Sequence, residues 1–142
     1  MKKHLPLIIV PLVIFLVLIV LTYWKPPKRD VLDGSIWKVT NLNDRSLLFG
    51  TTLTLRFHNR RVSGSSGCNR FNGRYKVTDT NIDIYKIEFL TKDNCLNPGI
   101  MDQERAFTHY LEEFTTFTYS PQTLTASTAA GETVTFTSML EE

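Results

Sequence analysis

Cysteine, histidine and internal repetition are all scarce in this chain. Only two cysteines occur, Cys68 and Cys95, and neither lies near the N-terminal apolar run. Lipid attachment at a cysteine just behind an apolar leader is therefore excluded. A structural zinc site wants four ligands, and His58 and His109 sit in unrelated contexts, so no metal and no other cofactor is expected. No stretch repeats and none is of low complexity. Acidic residues are missing before Asp30, where five basic residues stand alone. From Asp30 onward there are eleven basic and fourteen acidic residues, a net of −3. The overall charge of +2 thus belongs to the N-terminal segment. Nucleic acid is not an expected partner, because a binder carries its positive charge in the folded domain.

The apolar run opens at Leu5 and holds no charge as far as Trp24, with Pro6 and Pro11 as its interruptions. Its twenty residues would make about 30 Å of helix, the thickness of a bilayer core. Tyr23 and Trp24 stand where an interfacial aromatic belt would sit. The end of the run, Leu21-Thr22-Tyr23-Trp24, lacks the small residues of a signal-peptide cleavage site. The expectation is one uncleaved transmembrane helix, contacting the bilayer from Leu5 to Trp24, with a cleaved secretory signal as the competing reading. Basic residues flank the run almost equally, Lys2 and Lys3 before it and Lys25, Lys28 and Arg29 after it. The signal-like layout places the domain on the extracytoplasmic side of the cell membrane. Residues 1–24 are the anchor, 25–34 a proline-bearing linker, and 35–140 one domain, expected to be a monomer.

Within that domain the dominant period is two, which specifies strands. Trp37 and Val39 alternate with polar neighbours, as do Leu53, Leu55 and Phe57, then Tyr75 and Val77. Ile82 and Ile84 lead to Ile87 and Phe89 one residue out of phase, which predicts a bulge near Tyr85. His58-Asn59-Arg60 reads as a turn. Phe117 and Tyr119, Leu124 and Ala126, and Val134 and Phe136 complete the pattern. Met101, Phe107, Leu111 and Phe114 instead fit one helical stripe behind the Pro98-Gly99 break. About seven strands and one helix predict an α+β fold, a curved, mostly antiparallel sheet packed on one helix.

The densest motif is Gly64-Ser65-Ser66-Gly67-Cys68-Asn69-Arg70-Phe71-Asn72-Gly73-Arg74-Tyr75. Gly64, Gly67 and Gly73 suit positive φ or close backbone approach. Asn69 and Asn72 suit local backbone hydrogen bonds, and Phe71 and Tyr75 point to a core. No phosphate cradle is present, since no Lys-Ser/Thr pair and no helix follow. The stretch resembles the G-x-x-G-C-N-x-F-x-G-x-Y signature of the META/HslJ domain family. Trp37, Thr91 and Cys95, the Glu104-Phe107-Leu111 helix pattern, and Tyr119, Leu124, Gly131, Val134 and Phe136 extend the resemblance over essentially all of the chain after the linker. Asp93-Asn94 depart from it, standing where the family often has Met-Ala. The resemblance implies a bacterial envelope protein of stress or antibiotic tolerance, without a catalytic site to carry over.

Two cysteines in an exported domain read as one disulfide, Cys68–Cys95, against a reduced buried pair in a cytoplasmic one. A Cys68 nucleophile with His109 as base would need a lowered thiol pKa and an orienting third group, and the sequence supplies neither. Glu104 and Glu112 read as a solvated helix face. The chain is therefore not expected to be an enzyme, and an unidentified envelope protein is the expected partner. Arg56, Arg60, Arg61, Arg70 and Arg74 cluster around the motif in sequence, and the alternative function is binding of a small ligand or anionic polymer by the basic loop around Cys68, above all by Arg60, Arg61, Arg70 and Arg74. Their bland reading is ordinary solvent-facing strand positions.

Overall fold

The computed structural model describes residues 5–24 and 30–139, with side chains in the first helix from residue 9 onward. The elements run α1 (Leu5–Tyr23), β1 (Ile36–Leu42), β2 (Leu53–His58), β3 (Arg61–Ser66), β4 (Arg70–Thr78), β5 (Asn81–Phe89), α2 (Ile100–Glu113), β6 (Phe114–Tyr119), β7 (Thr123–Thr128) and β8 (Thr133–Ser138). The eight strands form a closed barrel in sequence order, every neighbour antiparallel, with β8 returning to pair with β1.

This closure corrects the expected open curved sheet of about seven strands. Period two fixes which side of a strand is buried, and it reads the same in an open sheet and in a barrel. The deciding contact, Val39 opposite Phe136, joins residues too far apart in sequence for local pattern to report. The expected bulge is present: Arg74 pairs with Tyr85 but Asn72 pairs with Glu88, and Lys86 takes φ 56°. The turn after His58 is a two-residue hairpin with Asn59 and Arg60 both left-handed, at φ 50° and 60°, the geometry that matches strand twist.

An eight-stranded barrel is just wide enough for side chains to fill. Here Trp37, Leu55, Phe57, Phe71, Tyr75 and Phe136 fill it, each at most 1% exposed. One end receives α2, inserted between β5 and β6, which share a single paired position, Asn81 opposite Thr116. Phe107 and Leu111 of α2 enter the core fully buried. Leu32 is also fully buried. Its turn is tied to the β2–β3 hairpin at the opposite end, where Gly34 N donates to Phe57 O at 2.9 Å and Asn59 N to Asp33 Oδ1 at 2.7 Å. Each such side chain contributes about 1.5–3 kcal/mol by leaving water.

The transmembrane expectation is also corrected. Helix α1 forms where the apolar run predicts it, with Pro11 inside. Among the described residues, however, no helix is long and apolar enough to cross a membrane. Residues 25–29 of the expected linker lie outside the described residues.

Candidate functional site

The conspicuous motif closes around one carboxylate. Glu104, on the first turns of α2, is 4% exposed, which corrects its reading as part of a solvated face. Its Oε2 accepts from Asn69 N at 2.8 Å and from the Ser66 hydroxyl, and its Oε1 accepts from Asn69 Nδ2 at 3.0 Å. Asn69 Oδ1 in turn accepts from Thr91 Oγ1 at 2.9 Å and Asp93 N at 2.7 Å. Three segments distant in sequence thus meet: the β3–β4 turn, the loop after β5, and α2. Cys68–Cys95 forms the expected disulfide, with Cα atoms 6.0 Å apart, and fastens two of these same segments. Beside it, Gln103 accepts from Leu48 N at 2.8 Å and donates to Thr51 Oγ1 at 3.0 Å, holding the β1–β2 loop to the helix.

Burying a carboxyl group costs less when hydrogen bonds replace its water, and three donors do so here. The network therefore explains Asn69, Thr91 and Glu104 as one structural joint. Its members are bound to one another rather than aimed at a cleft. Sequence reading placed Asn69 in a turn and Phe71 in the core correctly, but it missed that Glu104 is their partner.

The three motif glycines divide by cause. Gly67 alone has positive φ, 99°. Gly64 and Gly73 lie within β3 and β4. A Cβ on Gly64 would stand 1.8 Å from Thr54 O, and one on Gly73 would stand 3.2 Å from Tyr85 O. Close backbone approach, the second of the two expected reasons, governs both.

At the opposite end, Tyr75 is 1% exposed, packed edge-on against Phe57, and its hydroxyl lacks a well-formed hydrogen bond. Burial first, then the nearby Asp30 and Asp33 carboxylates, push this phenol well above its ordinary value. The folded state therefore holds the Tyr75 proton more tightly than the unfolded chain does. Its contribution is intact below the unfolded value, about pH 10, and is lost as pH rises beyond it. Tyr75→Phe is expected to flatten the fall in stability between about pH 10 and 12, measured by urea midpoints. An unchanged slope refutes that assignment.

The arginines do not form one cluster. Arg61 and Arg74 stand directly opposite each other, and Arg70 stands opposite Ser65, all exposed on the outer face of β3 and β4. Arg56 of β2, opposite Ser63, joins them. Arg60 turns away to the barrel end and lines a cleft of about 260 Å³ with Asp30, Asp33 and Asn59. From residue 51 to 78 there is not one acidic side chain, although the domain as a whole is acidic. Arg105 and Asp102 form an ion pair elsewhere, on α2.

A family model described as META domain matches residues 30–140. Solved structures share the fold. An NMR structure of a protein from Burkholderia xenovorans is 23% identical with a TM-score of 0.65, covering 83% of this chain and 96% of that one. A second NMR structure is 22% identical with a TM-score of 0.61, covering 75% and 90%. A crystal structure of a duf4847 family protein from Bacteroides vulgatus is 10% identical with a TM-score of 0.55, covering 79% and 96%. Among curated proteins nothing matches the chain.

Proposed function

We propose, from the premise that this chain belongs to the META domain family, that its barrel is a non-catalytic envelope domain serving stress or antibiotic tolerance through interaction with another envelope protein. The observation that carries this reading is the inward commitment of the motif. Ser66, Asn69, Thr91 and Glu104 are bound to one another, Cys68 to Cys95, and the barrel interior to its own aromatics. What such a molecule offers is its surface. The disulfide supports an oxidising compartment outside the cytoplasm. The apolar side chains of α1, exposed from Ile9 to Leu21, support contact with a lipid bilayer, since a helix apolar on every side is stable where water is excluded.

The test is made in cells. Protease added outside the cytoplasmic membrane should digest the domain, thiol reagents should find no free cysteine in the unfolded, unreduced protein, and crosslinking should capture a constant partner. A protected domain with two reactive thiols overturns the reading. Replacing both cysteines by alanine should cost about 3.5 kcal/mol on the chain-entropy model, read as a lower urea midpoint. The Glu104 network should still hold the native barrel.

A second reading is favoured by Arg56, Arg61, Arg70 and Arg74, all outward on β2–β4, with Arg61 and Arg74 directly opposite each other. Like charges held side by side on a sheet are unfavourable alone, and an anionic ligand would relieve them.

A further inference from the structure

Two adjacent rows of outward side chains cross the middle of the arginine face. Ile36, Arg56 and Ser63 form one, and Thr54, Ser65 and Arg70 form the other. The central strand carries only short side chains, Ser63 and Ser65, on either side of Gly64. Arg56 and Arg70 rise on the flanking strands, two strand spacings across and two residues along, or about 12 Å apart. The result is a trough of about 460 Å³, with hydroxyls along its floor and a guanidinium on each wall. Its rim is apolar: Leu90 and Met139 stand 58% and 49% exposed. Leu90 N is fixed to Arg70 O at 2.8 Å, and Met139 N to Ile36 O at 2.8 Å.

The geometry points to a phosphodiester headgroup of an anionic phospholipid as the occupant of this trough, an inference that rests on the anion-binding reading above. Guanidinium groups pair with phosphate oxygens through parallel hydrogen bonds, and hydroxyls add neutral donors between them. A soluble polyanion would need the charge but not the apolar rim. A lipid uses both, its phosphate between Arg56 and Arg70 and its glycerol and first methylenes against Leu90 and Met139. The acid-free stretch from residue 51 to 78 gives this side of an otherwise acidic domain the sign that an anionic surface attracts.

The full chain is reconstituted into vesicles of phosphatidylcholine, with or without phosphatidylglycerol, and arginine modification by phenylglyoxal is followed residue by residue by mass spectrometry. Phosphatidylglycerol should slow modification of Arg56 and Arg70 about fivefold relative to Arg105, and high salt should reverse the effect. Ser65→Glu should abolish the protection at unchanged melting temperature. Equal rates in both vesicles overturn the lipid assignment. So does equal protection of Arg61 and Arg74, which signifies diffuse charge rather than a trough. Inorganic polyphosphate with phosphatidylcholine vesicles separates the two readings. If it alone protects the face, anion binding stands and the lipid falls. If neither protects, both fall.

Discussion

Glu104→Ala is expected to be the most damaging substitution of a polar residue on α2. It leaves Asn69 N without an acceptor, and takes from the Ser66 hydroxyl and Asn69 Nδ2 one of two, Asn69 O and Asp93 O remaining to them, in a place where neighbouring side chains are buried. Stranded donors cost about 1–3 kcal/mol each. One stranded donor and two weakened ones bring the expected loss to about 3 kcal/mol, or roughly 10–25 °C in melting temperature for a domain of this size. Glu104→Gln keeps one oxygen but turns an amide N–H toward a donor, so it should lose about half as much. Thermal denaturation followed by circular dichroism measures both. An alanine variant within about 1 kcal/mol of the parent would mean that water replaces the carboxylate and that the joint is dispensable.

Gly64→Ala should rival it, although Gly64 has an ordinary backbone conformation. The added methyl would stand 1.8 Å from the carbonyl oxygen of Thr54. That atom belongs to the paired neighbouring strand, where Leu55 faces Gly64, and cannot yield without opening the β2–β3 ladder. Overpacking against a fixed backbone costs about 3 kcal/mol or more. Gly131 supplies the contrast. Its φ is +86°, but a Cβ there would meet nothing within 4 Å, so alanine should cost only about 1 kcal/mol of conformational strain. The order Gly64→Ala worse than Gly131→Ala is checked by urea midpoints. The reverse order would place backbone strain above the steric clash.

The strands were legible because burial imposes alternation, and Trp37, Leu55, Phe57 and Phe136 all face inward as that rule requires. The helix was legible from Phe107 and Leu111. Its first buried turn was not, because Gln103 and Glu104 are polar and their burial depends on donors supplied from elsewhere in the chain. Period and propensity cannot distinguish a carboxylate in water from one held by Asn69. The closed barrel was illegible for a related reason: closure is a long-range pairing, whereas alternation is local. The arginine face was half legible. The cluster of Arg60, Arg61, Arg70 and Arg74 was visible, but Arg60 departs because both residues of its tight hairpin are left-handed. Arg56, also visible in the sequence, stays on the face because it shares an outward row with Ser63.

The seam between β1 and β8 decides how this domain bears load. The two strands are antiparallel neighbours, and Trp37 near the start of one faces Ser138 at the end of the other. The segments entering β1 and leaving β8 therefore emerge side by side at the same end of the barrel. A pull between them acts across the strands, along the direction of their hydrogen bonds. It meets those bonds one at a time, like a zip, instead of shearing the ladder all at once. Tension between these segments should open the barrel at low force, starting at the Ile36–Met139 bond and leaving the joint around Glu104 to yield later.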